Sequence, residues 1–234
     1  MFKDKVVIIT GGASGIGKAI KEEFTKNGAR CYVIDVAEGD HFVGDISNKE
    51  TLENFYKYVM EKESHIDYLI NNAKPLTRGI TNGTYEEFVY ALNVGVTAPF
   101  YLSKLFKPHF NKGGVIINIS SSRDRMSQPE TESYTASKGG IYALTHAMAI
   151  SLSGMVRVNS ISPGWINNEN IEYTGPDAFQ HPSGRVGKPS DIANMVLFLC
   201  SDKAEFINGE NICIDGGMTK QMIYHNDYNW ILKK

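Results

Sequence analysis

The chain has only three cysteines in 234 residues, Cys31, Cys200 and Cys213, and no CxxC spacing. Neither a disulfide framework nor a thiolate metal site is expected from so few. Each thiol sits in an apolar strand or helix pattern and is expected to be buried and reduced, as in a cytosolic protein. The six histidines, at 41, 65, 109, 146, 181 and 225, have no ligand spacing. The acidic residues form no metal constellation either, so no catalytic metal is expected. An excess of one charge is also lacking: 24 Lys and Arg against 26 Asp and Glu leave a net charge of −2, without the basic footprint of a nucleic-acid partner. No apolar run approaches the roughly 18–20 residues of a membrane span, so no membrane partner is expected. Only MFKDK precedes the first strand-like run, so no signal peptide is expected, and with the reduced thiols a cytoplasmic location is expected. Linkers, repeats and low-complexity tracts are missing as well. Residues 1–234 therefore read as one domain, long enough for a sizeable core.

What is present is an alternation of apolar strand-like runs with helical patterns. VVIIT (6–10) leads into a helix from about 15 to 27, then come CYVID (31–35), HFVGD (41–45) and a helix near 48–63. DYLINNA (67–73), a long helical region near 84–109, GVIINIS (114–120) and a helix over about 134–153 follow. VRVNSIS (156–162), a helix near 190–201 with Ser190 as its N-cap, and ENICIDGG (210–217) complete the pattern. Such alternation predicts an α/β fold, a doubly wound parallel sheet of about seven strands with helices on both faces. One joint breaks the rule. Between Asp35 and His41 lie only five residues, VAEGD, whereas a parallel crossover takes a dozen or more. Five extended residues reach at most about 18 Å, enough to return along a short strand. The helix between the second and third strands is therefore predicted to be missing. The third strand should be short, and the adenine side of any nucleotide site open.

Three features carry chemistry. Glycine recurs at 11, 12, 15 and 17, directly after the first apolar run and before a helix. Such a turn is either an ordinary strand-to-helix connection or a phosphate cradle, in which the first amides of the helix point at a pyrophosphate. Asp35 ends the second strand, 18 residues after Gly17, where an acid accepts hydrogen bonds from adenosine ribose hydroxyls and repels a 2′-phosphate. No Lys or Arg occupies 36 or 37 or the glycine turn, so NAD is favoured over NADP. Finally, Tyr134 and Lys138 are four apart and share a helix face. A free phenol titrates near 10 and is a poor base at neutral pH; a neighbouring ammonium stabilises the phenolate and brings that value down.

With these residues assembled, the chain resembles the short-chain dehydrogenase/reductase family, a Rossmann-type fold. The motifs occur in family order over nearly the whole sequence: TGGASGIG (10–17), GDIS (44–47), NNA (71–73), NVG (93–95), NISS (118–121), YTASK (134–138), SPGWI (162–166) and IDGG (214–217). The resemblance implies that Tyr134 is the general acid/base. Lys138 would bind the nicotinamide ribose and lower the phenol's pKa, and Ser121 would hold the substrate oxygen, with Ser120 and Ser122 as nearby rivals. Asn93 would interrupt its helix and position a water in a proton relay to Lys138. Thr10, Gly11, Ser14, Gly15, Ile16 and Gly17 would cradle the cofactor. Asp35 would meet the adenosine ribose, Asp45 and Ile46 the adenine, Asn72 and Ala73 the adenosine-side ribose, and Pro163, Gly164 and Ile166 the nicotinamide carboxamide.

The implied activity is hydride transfer between NAD(H) and a small secondary alcohol or ketone, in a homodimer or homotetramer. An NADPH-dependent 3-oxoacyl thioester reductase shares these motifs, and a non-catalytic NAD(H) sensor would share the fold. Departures from the family pattern also matter. Lys74 stands where the family has glycine after NNA; it either snorkels to solvent or reaches the active-site mouth and favours an anionic substrate. Residues 167–182 fall at the substrate lid, but Asn167 or Asn168 occupies the usual place of a Thr or Ser on the cofactor phosphates. The tail, 218–234, is rich in Met and aromatics, which are expected to cover the pocket, pack on a sister subunit, or pack in the core.

Overall fold

Val6, Val7, Ile8 and Ile9 are all fully buried, and they form the strand on which the chain is organised. In the computed structural model, which describes residues 2–169 and 171–231, β1 (Val6–Thr10) pairs in parallel with β2 (Arg30–Asp35) on one side and β4 (Ile66–Asn71) on the other. β3 (Phe42–Val43), β5 (Phe110–Ile119), β6 (Val156–Pro163) and β7 (Asn211–Ile214) complete a seven-stranded sheet in the order β3-β2-β1-β4-β5-β6-β7. Every pairing is parallel. A strand covered on both faces must be apolar at successive positions, which is why β1 reads as an unbroken hydrophobic run. Its side chains divide by parity. Val7 and Ile9 join Ile20, Phe24, Ile192 and Val196 from α1 (Gly15–Lys26) and α7 (Pro189–Leu199). Val6 and Ile8 join Leu52, Phe55, Leu102 and Met148 from α2 (Lys49–Met60), α4 (Ala98–Phe106) and α5 (Glu132–Ser151) on the opposite face.

Strand order reverses at β1, since the chain runs outward through β2 and β3 and then crosses back to β4. The carboxyl ends of β1 and β4 diverge at such a point and leave a crevice. As expected, no helix joins β2 to β3, and β3 is only two residues, shorter than the HFVGD run. Val36 and Val43 are exposed at this edge.

Other bounds differ from the sequence reading for local reasons. The helical region near 84–109 divides into α3 (Tyr85–Leu92), a π-helical segment Asn93–Thr97, and α4, which starts just ahead of Pro99. The last long helix starts at Pro189 with Lys188, not Ser190, as its N-cap. Proline's fixed φ suits the first helical position, and the Asp191 carboxylate accepts the Lys188 amide proton at 2.7 Å. Of the cysteines only Cys200 is buried; Cys31 and Cys213 are half-buried, and all three are free thiols. Cys213 lies on the edge strand β7, which only one neighbour covers. No described helix is long and apolar enough to cross a membrane.

Between β6 and α7 the chain forms α6 (Pro176–Phe179), a single turn whose Ala178 is buried, as is His181 just beyond it. Trp165 and Tyr173 meet edge to face at 4.7 Å between centroids. The lid-like span 167–182 is therefore anchored at both ends, with Asn170 outside the described residues. In the tail, Met222, Tyr224, Tyr228 and Trp230 are exposed, so core packing does not account for them; residues 232–234 lie outside the described residues.

Candidate active site

The glycine turn meets the first requirement of an anion site, which is unspent amides. Ser14 precedes α1 in an extended conformation with no side-chain cap, and the first turn holds no acidic residue. By contrast, α2 is capped by Asn48, and α3 carries a reciprocal capping box between Thr84 and Glu87. The positive end of α1 is thus left for a ligand. Gly11 and Gly15 have φ of +68° and +51°, the left-handed region that glycine enters without penalty. A Cβ on Gly15 would lie 2.8 Å from the Asn168 side chain. Asn168 therefore faces the phosphate cradle, whereas Asn167 turns away to bond the Ile171 carbonyl and the Glu169 amide.

The turn opens into a cavity of about 780 Å³ at the carboxyl ends of the strands, within the size range of cofactor pockets. Of the residues singled out from sequence, Gly11, Ser14, Gly15, Ile16, Asp35, Asp45, Ile46, Asn72, Ala73, Ser121, Tyr134, Lys138, Pro163, Gly164 and Ile166 all line it. Thr10, Gly17 and Asn93 stand behind the lining. The Thr10 hydroxyl accepts the amides of Asn72 and Ala73 at 3.0 and 3.1 Å. The Asn72 side chain donates to the Gly11 carbonyl at 2.7 Å, which locks the end of β4 to the glycine turn. The Asp35 carboxylate accepts from the amides of Ala13 and Ala37 at 2.9 and 3.0 Å, so it shapes the turn as well as facing the open side. Asp45 is held by the Ser47 amide and by the Tyr90 hydroxyl.

At the other end β5 runs into a short 3-10 turn, Ser122–Asp124, beside α5. The three serines at this junction divide the work. Ser120 donates to the Lys138 carbonyl at 3.0 Å and pins α5; Ser122 opens the turn; the Ser121 oxygen accepts the Arg123 amide, at 3.2 Å, and its hydroxyl acts on the Tyr134 phenol. The Asp124 carboxylate accepts from Ser162 on β6 and Asn211 on β7 at 2.8 and 2.5 Å, which ties this turn across the sheet. The π segment brings the Asn93 carbonyl to the Ala98 amide, and it packs so tightly on α5 that a Cβ on Gly95 would lie 2.7 Å from Ser137.

The electrostatics depart from the simple picture of a lysine acidifying a tyrosine. The Tyr134 phenol lies above its ordinary value because burial outweighs the opposing pull of the Ser121 hydroxyl and the Arg123 guanidinium. Lys138 is fully enclosed. Its ammonium donates to the Ile119 carbonyl at 2.6 Å and stands 5.5 Å from the Tyr134 ring centroid. Burial, helped by the nearby charge of Lys74, pulls Lys138 down to about 7. A lysine with a lowered pKa is charged below that value and neutral above it. Lys74→Gln removes one of the two causes and should keep Lys138 protonated to higher pH. Since a protonated Lys138 has donors to spare for a ribose hydroxyl, the pH at which dinucleotide affinity falls should move upward in Lys74→Gln, as a fluorescence titration over about pH 6–9 would show.

Sequence reading passed over several lining groups: Thr77, Tyr90, Arg123, Met126 and Gln128; Met218, the first residue of the tail, also lines the cavity. Arg123 alone had a signal, a cation two residues from the chosen serine.

The family model described as enoyl-(acyl carrier protein) reductase matches residues 11–219. An uncharacterised oxidoreductase from Thermotoga maritima is 38% identical, over 96% of this chain and 99% of its own. An apo SCOR enzyme from Clostridium thermocellum superposes with a TM-score of 0.92 at 46% identity, covering 99% of each chain. A 3-ketoacyl-(acyl-carrier-protein) reductase from Brucella melitensis, solved with NADH, superposes at 0.84 with 27% identity over 94% of this chain and 100% of its own. The chain belongs to the short-chain dehydrogenase/reductase family of oxidoreductases, whose cofactor is a nicotinamide dinucleotide.

Proposed function

We propose that the protein is an NAD(H)-dependent oxidoreductase that interconverts a secondary alcohol and a ketone, with Tyr134 as general acid/base. One observation carries the reading. The Tyr134 phenol, the Ser121 hydroxyl and the enclosed Lys138 ammonium line the same cavity that begins at the uncapped N-terminus of α1. The bound dinucleotide supplies the hydride chemistry, and the protein's part is orientation and proton management. Ser121 donates to the substrate oxygen. Tyr134 gives that oxygen a proton in reduction and takes one in oxidation. Lys138 holds the ribose. Asn93 shapes the π segment on which α5 rests. Pro163, Gly164 and Ile166 form the wall beside the nicotinamide, and residues 167–182 act as the lid. Exposed Phe100, Tyr142, Ile150 and Phe206 suit burial in a homo-oligomer.

NAD is favoured over NADP by the Asp35 carboxylate at the open edge, since among the described residues the cavity offers no cation beside it. That same feature weighs against the rival reading, an NADPH-dependent 3-oxoacyl thioester reductase. The test is an NADH absorbance assay over ketones, sugars, steroids, hydroxy acids and acyl thioesters, run with both cofactors. Turnover with NAD(H) in preference to NADP(H) is the expected result; no turnover of any carbonyl compound would leave the non-catalytic NAD(H) sensor. Asp35→Asn keeps an acceptor for the Ala13 amide but removes the charge. It should narrow the preference about tenfold, the size of one charge pair largely screened by water at the open edge.

A further inference from the structure

The six arginines of the chain are spent differently. Arg30, Arg78, Arg125 and Arg185 each pair with a carboxylate, those of Glu63, Glu87, Asp124 and Asp191. Arg157 donates to the carbonyls of Ile207, Leu199 and Ser201. Arg123 is the exception: among the described residues it has no acidic partner, and its side chain bonds only the neutral amide of Gln128. Its guanidinium lies 5.8 Å from the centre of the Tyr134 ring and lines the cavity. Lys74 lines the same cavity, is exposed, and likewise forms no ion pair among the described residues.

Charge is also sorted along the cavity. Its only acidic lining residues among the described residues, Asp35 and Asp45, stand at the ends of β2 and β3, the nucleotide edge. Its cations, Lys74, Arg123 and Lys138, gather around the phenol. An arginine left without a carboxylate beside a reacting centre is a fork that matches one.

We propose that the substrate is an oxo acid or hydroxy acid whose carboxylate, a few bonds from the reacting carbon, is held by Arg123 with Lys74 reinforcing the field. This rests on the redox reading of the site and names its substrate class. The short distance from guanidinium to phenol sets the spacing: the charge must sit close to the carbonyl. A long acyl thioester carries its charge far from that carbonyl and gains little here. The bare side chain of a neutral ketone leaves Arg123 unpaired.

Calorimetric titration of the protein saturated with NAD⁺ tests this without depending on turnover, using 3-hydroxybutyrate and its methyl ester as probes. The free acid should bind about ten- to a hundredfold more tightly than the ester, the range of a charge-assisted hydrogen-bonded pair. Salt should reduce the difference. In Arg123→Gln the ratio should fall towards one, and Arg123→Lys should restore part of it. Lys74→Gln, a change at an exposed position, should lower the ratio by a smaller factor and serves if Arg123→Gln does not fold. Equal binding of acid and ester in the wild type, or a preference that survives both substitutions, overturns the proposal. Steady-state rates on the corresponding 3-oxo acid and ester separate the two ideas. Turnover of neutral ketones with no preference for the acid leaves the redox reading standing and removes this one. Acid-selective, Arg123-dependent binding without hydride transfer removes the redox reading, and the substrate role with it, and leaves only a carboxylate-binding site at Arg123.

Discussion

Replacing Tyr134 by Phe should lower kcat roughly 10²–10⁴-fold, the contribution of one positioned general acid/base, while dinucleotide binding is retained. The ring itself stays: it packs beneath the Arg123 guanidinium and beside the Lys138 ammonium, and these contacts need no hydroxyl. Stopped-flow rates together with NADH fluorescence titration would separate the two effects. A parallel loss of affinity would mean that the phenol is structural rather than chemical. The direction of the phenol's pKa adds a second readout. Because burial holds it above the ordinary tyrosine value, Tyr134 carries its proton throughout the neutral range. With saturating dinucleotide, ketone reduction, which consumes that proton, should therefore be flat with pH until the alkaline limb. Alcohol oxidation needs the phenolate and should climb as pH rises towards that limb. Both profiles should collapse to the residual rate in Tyr134→Phe.

The elements around this tyrosine were legible from sequence to different degrees, for physical reasons. β1 and the glycine turn announce themselves, because a strand buried on both faces must be continuously apolar and because a positive φ or a close approach selects glycine. The missing helix after β2 followed from chain length alone, since VAEGD is too short to hold a crossover helix and can only return along a short strand. Side-chain environment was another matter. Spacing puts Tyr134 and Lys138 on one face of α5, but it does not reveal that Lys138 is enclosed and bonded to the Ile119 carbonyl. That enclosure is why Lys138 is only partly charged near neutral pH, while Arg123 is the cation that lowers the phenol's pKa. Arg123 reaches the phenol only because the chain turns through a 3-10 segment after β5, held across the sheet by Asp124. No local periodicity encodes that turn. Likewise, sequence left Asn167 and Asn168 interchangeable; only the path out of β6 directs Asn168 at Gly15.

Gly17→Ala should abolish high-affinity dinucleotide binding, raising Kd about a hundredfold or more, with a lowered Tm. Helix propensity argues the other way, since Ala is favoured over Gly by about 1 kcal/mol inside a helix, and Gly17 lies within α1. Sterics decide. A Cβ at this position would stand 2.0 Å from the Gly11 carbonyl oxygen and 2.5 Å from the Asn72 amide nitrogen. Those two atoms are bonded to each other at 2.7 Å, so the methyl group would enter the joint that holds the glycine turn against β4. The obstacle includes backbone, which cannot rotate away, and overpacking of this kind costs about 1–3 kcal/mol even where side chains can yield. Moving Gly11 also moves the uncapped amides of α1 away from the phosphates they face, so binding should suffer more than folding. Gly139→Ala is the matched comparison: it too lies inside a helix, but its added carbon would meet nothing nearer than 4.0 Å. There propensity is unopposed and a gain of about 0.5–1 kcal/mol is expected, read as a raised denaturant midpoint. Opposite outcomes for the same glycine-to-alanine change would trace the cofactor cradle to close approach at one position; similar outcomes would show that the turn relaxes and that Gly17 is dispensable.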